Sequence, residues 1–164
     1  MLQPIATITN TAGFKGDLKL RPLSRYFEDY ISQSNLLIGL SSNDFKKYSL
    51  EDIKGHGKKR RFKFEGLTNA SEAKKLIGYT IFIKADRNDE ITLISKEILG
   101  YQIITTDNII VGQLKDVLWL PSNDVYIVDG IKKELLIPII PEIVKSINFS
   151  KKQVIIEPID GMLD

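Results

Sequence analysis

The strongest candidate for a binding site in the chain is a run of four cations, Lys58-Lys59-Arg60-Arg61. It follows Gly55-His56-Gly57 and leads into Phe62 and Phe64. Lysine and arginine bind the phosphates of a nucleic acid backbone, and such contacts weaken as salt rises. Because alternate residues of a strand face opposite sides, about two of the four can follow one phosphate track. The predicted neighbours on that track are Lys15, Lys19 and Arg21. The run equally suits a solvated strand end that protects a sheet edge from aggregation.

Other reactive groups are sparse. His56 is the only histidine and the chain has no cysteine, so neither a metal site nor a disulfide is expected. A chain without cysteine suits a reducing compartment, and we expect the cytoplasm. The Gly13 to Gly16 spacing lacks the following helix and the Lys-Ser/Thr pair of a phosphate-binding loop, which favours a hairpin turn.

Catalysis is not expected. The carboxylate pairs Glu51-Asp52 and Asp89-Glu90 lie in polar, loop-like surroundings, where a raised catalytic pKa is not indicated. Serine and threonine are plentiful, but His56 is the only base candidate for activating them. The sequence therefore predicts no enzyme and no cofactor.

Charge divides the chain into two unlike halves. Residues 1–88 hold 16 Lys and Arg against 9 Asp and Glu, a net charge of +7, whereas residues 89–164 hold 7 against 12, a net of −5. Such a polarised chain can bind a polyanion at one end and a cationic protein at the other. The same charges also suit two halves that are merely soluble.

The hydropathy pattern predicts a mostly β fold built from two tandem small β-barrels, with one or two short helices. In the first half we predict a loop at residues 41–54, a long strand at 58–65 and a helix at 70–77. Asn69 and Glu72 cap that helix and Gly78 stops it. We place the first barrel at residues 1–88, a linker at 89–97 and the second barrel at 98–164. No apolar stretch approaches the length of a membrane span.

The second half contains apolar residues that a partner can contact. In a strand ending at Leu120, Val117 and Trp119 share one face while Leu118 and Leu120 share the other, so one pair stays exposed unless something covers it. Residues 139–147 have helical spacing and predict a short helix or turn that plugs the barrel. Pro138 precedes that segment and is a candidate contact at its rim.

Several blocks of sequence, in this order and spacing, resemble the bacterial ribosome maturation factors of the RimM family. The blocks of the first half are Ile5-Ala6-Thr7-Ile8, residues 13–20 (GFKGDLKL), Phe64-Glu65-Gly66 and Leu76-Ile77-Gly78. Those of the second half are Glu97-Ile98-Leu99-Gly100, Val111-Gly112-Gln113-Leu114, residues 123–128 (NDVYIV), Leu136-Ile137-Pro138 and residues 158–163 (PIDGML). The match spans nearly the whole chain.

The resemblance implies an N-terminal barrel like those of translation factors, joined by a linker to a C-terminal PRC-type barrel. It also implies a non-enzymatic factor that assists late maturation of the head of the small (30S) ribosomal subunit and, indirectly, 16S rRNA processing. We expect the chain to be a monomer. The implied partners are the immature 30S subunit, head 16S rRNA and a small-subunit head protein, the nineteenth in the standard list. No membrane is implied.

Two positions depart from the family pattern. Ala12 stands where members commonly carry a histidine before the first glycine, and Leu93 and Ile94 stand where a tyrosine pair implicated in ribosome binding often lies. Leu93 and Ile94 can still make the apolar contacts of a tyrosine pair, but they cannot make the hydrogen bonds of its phenolic hydroxyls. We expect Leu93, Ile94, Leu118, Leu120 and Pro138 to contact the ribosomal protein. The alternatives are a generic RNA-binding barrel without a protein partner and an enzyme acting on rRNA.

Overall fold

The structure, a computed structural model, describes residues 2–33, 35–120 and 122–164. The chain forms two compact units, of which the first ends at Arg87 and the second starts at Asn88. Each unit is built on one curled β-sheet, seven-stranded in the first and six-stranded in the second. The predicted mostly β fold with two tandem barrels is confirmed. None of the helices among the described residues has the length and apolar character that crossing a bilayer requires.

The described part of the first unit contains seven strands, two short α-helices and one 3₁₀ helix. In chain order these are β1 (Leu2–Ala12), β2 (Asp17–Pro22), α1 (Phe27–Tyr30), β3 (Leu36–Ser41), β4 (Asp44–Tyr48), β5 (Leu50–Lys54), the 3₁₀ helix Gly57–Lys59, β6 (Arg61–Phe64), α2 (Ala70–Lys74) and β7 (Thr80–Lys84). The strand order in the sheet is β4-β3-β7-β1-β2-β6-β5.

The two edges of this sheet meet through the chain itself. A single residue, Ser49, separates edge strand β4 from edge strand β5. Its carbonyl accepts a hydrogen bond of 2.9 Å from the Glu65 amide, and the Tyr48 ring lies edge-on to Phe64 at 6.5 Å. The sheet therefore curls round to close a small barrel. The interior is filled by inward-facing residues of its strands, including Ile5, Ile8, Leu18, Phe64 and Ile81, all fully buried.

Helix α2 starts where the sequence predicts. The Asn69 side chain accepts a 2.9 Å hydrogen bond from the Glu72 amide, as an N-cap does. The Glu72 carboxylate accepts from the Thr68 amide at 3.2 Å, one residue earlier than a capping box requires. The helix ends at Lys74 rather than at residue 77, and the chain turns at Gly78 with a φ of 90°.

Two predictions for the first unit are wrong. Residues 41–54 form strands β4 and β5 rather than a loop, and these strands escape detection because most of their side chains are exposed at the sheet edges. The predicted strand at 58–65 begins only at Arg61. Lys58 and Lys59 lie instead in a 3₁₀ helix that precedes β6. The chain enters this helix through Gly55 and Gly57, both of which have positive φ angles.

The described part of the second unit begins with two 3₁₀ helices, Glu90–Ile94 and Lys96–Ile98, followed by six strands. These are β8 (Gln102–Thr105), β9 (Ile110–Leu118), β10 (Val125–Gly130), β11 (Glu134–Pro138), β12 (Val144–Asn148) and β13 (Gln153–Ile156). Their order is β11-β10-β9-β8-β13-β12, with β13 and β8 parallel and the other pairs antiparallel. The core includes Ile103, Val117, Tyr126, Ile137 and Val154.

The helical spacing at residues 139–147 is misleading. A turn follows Pro141, and strand β12 occupies the rest of the segment. The pairing of β12 with β13 shifts between Val144 and Ser146. This bulge places two exposed residues, Lys145 and Ser146, between Val144 and Ile147, so the apolar residues of the strand recur three positions apart, which mimics the period of a helix.

Candidate nucleic-acid and protein interfaces

A cleft of about 580 Å³ lies where the β1–β2 hairpin and the β5–β6 hairpin run side by side. We call it the basic cleft, because three of the residues that line it are cationic. Its lining residues are Thr11, Ala12, Gly13, Lys19, Gly55, Lys59 and Arg61. The hairpins are neighbours because β2 pairs with β6, with Leu18 opposite Phe62. The fold therefore unites cations that lie some forty residues apart in the sequence.

Two of the three cations are oriented by polar partners. The Lys19 Nζ donates to the Lys58 carbonyl at 3.4 Å, and the Arg61 Nε lies 3.6 Å from the Asp17 Oδ2. The Asp17 side chain is almost buried, whereas Lys59 and Arg61 are exposed. A carboxylate set behind a cation leaves the outer side of the guanidinium free to bind an anion. The basic cleft can accordingly hold phosphate groups.

Arg60 points away from the basic cleft. Its two terminal nitrogens hydrogen-bond both carboxylate oxygens of Glu28, with 3.0 Å between Nη2 and Oε2. The guanidinium also lies over the rings of Phe62 at 5.0 Å and Phe27 at 5.8 Å. The hydrogen bonds raise the pKa of Arg60 and lower the pKa of Glu28. Arg60 thus links the start of β6 to helix α1.

The seven predicted nucleic-acid contacts therefore fall into three groups. Lys19, Lys59 and Arg61 meet in the basic cleft. Lys15, Arg21 and Lys58 are exposed but do not line it, and Arg60 is held by Glu28. A residue that sequence reasoning missed is Lys63, whose Nζ donates to the carbonyls of Lys15 and Leu67 and so braces the β1–β2 turn.

An apolar surface covers the outer side of strands β9, β10 and β11. Leu118, Val125 and Pro138 lie directly opposite one another across the three strands, and Ile127 lies opposite Leu136 in the next row. We call these five residues the outer face. The exposed fractions of Leu118 and Leu136 are 37% and 61%. The alternating pattern of the strands buries Val117, Tyr126 and Ile137 on the opposite side.

Acidic residues border the outer face, but two of them are paired. Asp116 lies opposite Ile127 and accepts a 2.8 Å hydrogen bond from Lys96, and this bond, followed by the Val117 amide, lowers the pKa of Asp116. Glu134 accepts a 2.9 Å hydrogen bond from Lys115, which raises the pKa of that lysine. Asp129 is exposed opposite Glu134. The rim is thus polar and carries both signs.

Leu93 and Ile94 are held within the second unit. The Ile94 side chain is 2% exposed, and its carbonyl accepts a hydrogen bond from the Trp119 Nε1 at 3.2 Å. The Leu93 carbonyl accepts from the Tyr126 hydroxyl, and its side chain is half-buried. Ile94 is therefore a core residue rather than an exposed contact, because the segment folds back against β9 and β10.

Leu118 and Pro138 are brought together on the outer face, and Leu120 is exposed just beyond the end of β9, while their contact with a ribosomal protein stays a prediction. Sequence reasoning missed Val125, Ile127 and Leu136 as members of this surface. Strand alternation around Tyr126 and Ile137 could have found them. Among the described residues, no group of three histidine, cysteine, aspartate or glutamate side chains is placed to hold a metal ion.

Comparison with known proteins identifies both units. A family model described as the RimM N-terminal domain matches residues 4–88, and one described as the RimM PRC barrel domain matches residues 95–162.

A ribosome maturation factor RimM of Clostridioides difficile is 30% identical over 98% of this chain and 95% of its own length. Another, of Clostridium perfringens, is 34% identical over 94% of this chain and 92% of its own. A RimM crystal structure from Pseudomonas aeruginosa covers 97% of this chain and 98% of its own, with 20% identity and a TM-score of 0.47. The chain belongs to the RimM family.

Proposed function

We propose that this protein is a ribosome maturation factor that binds the immature small subunit, holding head 16S rRNA with its first unit and a head ribosomal protein with its second. The relatives are named ribosome maturation factors, which supports the general role. The observation that carries the two-partner arrangement is the presence of a basic cleft in one unit and of an exposed apolar face in the other, whose residues 89–164 have a net charge of −5.

The first unit binds rRNA through its backbone. Lys19, Lys59 and Arg61 present three positive charges to one cleft, which suits consecutive phosphates of a strand. Contacts of this kind position the protein without reading sequence, and each one releases counterions on binding. The affinity therefore depends steeply on salt.

The second unit binds a basic ribosomal protein of the head, the nineteenth in the standard list. The outer face supplies apolar area that a partner can bury, and the net charge of −5 over residues 89–164 attracts a cationic protein. Leu118 and Leu136 are its most exposed members and are the expected anchors. Leu120 and Pro138 extend the same surface.

Maturation proceeds by binding rather than by catalysis. A factor that holds a head protein and nearby rRNA in a productive arrangement must bind the incomplete subunit more tightly than the finished one, because otherwise it is not released. Processing of 16S rRNA then depends on the factor indirectly. We place this activity in the cytoplasm and expect the chain to act as a monomer.

The test uses two double variants of the full chain. Leu118→Asp with Leu136→Asp places charges on the outer face, and Lys59→Ala with Arg61→Gln removes charges from the basic cleft. Binding is measured separately to the purified head protein and to a head-domain rRNA fragment. We expect the first variant to lose protein binding at least tenfold and keep RNA binding, and the second to do the reverse. Ile159→Asp, an exposed site outside β9–β11, is the matched control for the first variant.

Each half of the proposal fails separately. Head-protein binding that survives the double leucine substitution removes the outer face from the interface. Absence of any head-protein binding by the unmodified chain, together with intact RNA binding, supports a generic RNA-binding barrel instead. Loss of both activities in both variants points to unfolding, which thermal denaturation of each variant detects.

A further inference from the structure

One exposed aromatic side chain has no role in the assignments above. Phe14 lies at the tip of the β1–β2 turn, next to Gly13 of the basic cleft, and is 89% exposed. Single exposed apolar residues are common on protein surfaces and need no special explanation. Phe14 differs because it follows Gly13, a residue that lines the basic cleft, and because its turn is held in place.

The turn that carries Phe14 is held against the loop after β6. The Lys63 ammonium donates to the carbonyls of Lys15 and Leu67 and so connects the turn to the loop after β6. A Cβ on Gly16 would lie 2.4 Å from the Leu67 carbonyl oxygen, and the φ of Gly16 is 91°. The backbone is therefore packed against its neighbour in a conformation that glycine adopts most readily. An aromatic ring presented by such a turn loses little backbone entropy when it binds a ligand.

We propose that Phe14 stacks on an unpaired RNA base while the phosphates of the same strand lie in the basic cleft. This inference rests on the proposed rRNA contact and specifies the kind of RNA that is bound. The positive charges of Lys19, Lys59 and Arg61 select a polyanion, and the neighbouring ring selects a base with a free face. Bases within a duplex are already stacked, so the site binds loops, bulges or single strands in preference to helical RNA.

The ring at position 14 can itself report the contact. In the full-length Phe14→Trp variant, the new indole is the only tryptophan besides Trp119, and the unmodified chain measures the contribution of Trp119. The probes are a single-stranded RNA of about ten nucleotides and the same sequence in a duplex. We expect the single strand to quench the emission of the indole at position 14 and to bind about tenfold more tightly than the duplex.

A matched pair of substitutions separates stacking from simple apolar contact. Phe14→Leu is expected to weaken single-strand binding about tenfold, whereas Phe14→Tyr retains the affinity, because stacking needs an aromatic ring. Both variants should unfold at the same temperature as the unmodified chain, since the side chain is almost fully exposed.

The outcomes distinguish this inference from the proposed function. If RNA binds but Phe14→Leu has no effect, or if duplex and single strand bind equally, the stacking proposal is overturned while the rRNA contact stands. If the unmodified chain binds neither RNA, the rRNA half of the proposed function fails and the inference fails with it. If the indole responds to the head ribosomal protein and not to RNA, Phe14 belongs to a protein interface and the proposal is wrong.

Discussion

Arg60 and Glu28 form a bidentate ion pair, with 3.0 Å between Nη2 and Oε2, that joins the start of β6 to helix α1. The adjacent residue Arg61 lies on the other side of the strand and lines the basic cleft. Two neighbouring arginines of one basic run therefore perform different tasks, the first in stability and the second in the candidate interface.

We predict that Arg60→Met destabilises the first unit by about 1 kcal/mol, because the ion pair and the stacking of the guanidinium on Phe27 and Phe62 are lost while the apolar stem is kept. RNA affinity at a temperature where the variant is folded should change less than twofold. Chemical denaturation and RNA titration check the two halves. Arg61→Met is the matched control and is expected to lower RNA affinity at a temperature where the variant is folded. A fall in RNA affinity for Arg60→Met equal to that of Arg61→Met contradicts the division.

The ion pair also predicts a pH dependence. The pKa of Glu28 is lowered in the folded protein, first by the hydrogen bond from Arg60, so folding favours the ionised carboxylate. Its stabilising effect is fully present above the unfolded pKa of about 4.3 and is lost as pH falls through the folded value. Because the Glu28 side chain is 63% exposed, the effect is about 0.5 kcal/mol.

Glu28→Gln should therefore be less stable than the unmodified chain at pH 6, and the difference should shrink towards zero as the pH is lowered below the unfolded pKa. Urea denaturation of the two proteins at several pH values measures it. The exposed Glu65→Gln is a suitable control, since it alters a carboxylate elsewhere in the same unit. A stability difference that grows towards acid pH is incompatible with the ion pair as described.

Salt dependence tests whether the basic cleft follows an RNA strand. Each phosphate contact by a cation contributes about 0.7 to the slope of log affinity against log salt for a single strand. Lys59→Ala should therefore weaken RNA binding and lower the magnitude of that slope by about this amount, and Lys19→Ala should do the same. Lys75→Ala, which lies outside the cleft on the same unit, should leave the slope unchanged. Equal slopes for the unmodified chain and all three variants would show that Lys19 and Lys59 are solvated surface residues that contact no phosphate.

The elements that sequence predicts well are those with local causes. The cap of α2 follows from the Asn69 side chain and the amide three residues later. The turn after the helix follows from the glycine at position 78, which has a positive φ. That Val117 and Leu118 face opposite sides follows from simple alternation along a strand. In each case the decisive interactions lie within a few residues, so no knowledge of the rest of the fold is needed.

The elements that escape prediction depend on distant partners. Strands β4 and β5 are polar because they form the two edges of the sheet, and only the closure through Ser49 reveals them as strands. The basic cleft depends on the pairing of β2 with β6, which places Lys19 near residues that follow it by some forty positions. The helical spacing near Val144 is produced by a bulge, and a one-residue shift in a strand cannot be told from a helix by periodicity.

The segment before β8 depends on two hydrogen bonds for its position. The Tyr126 hydroxyl, from a fully buried side chain, donates to the Leu93 carbonyl, and the Trp119 Nε1 donates to the Ile94 carbonyl. Tyr126→Phe leaves the Leu93 carbonyl without this donor, at a cost of about 1 to 2 kcal/mol. We expect faster amide hydrogen exchange over residues 90–95, with little change in strand β13.

Tyr101→Phe is the matched control, because this tyrosine contacts Phe149 edge-on at 6.4 Å and makes no contact that positions Leu93. If Tyr126→Phe leaves exchange of residues 90–95 unchanged, the hydroxyl does not hold the segment. If exchange rises uniformly through the second unit, the substitution has lowered global stability instead. Local acceleration alone would show that this segment is tethered by a tyrosine that comes from β10.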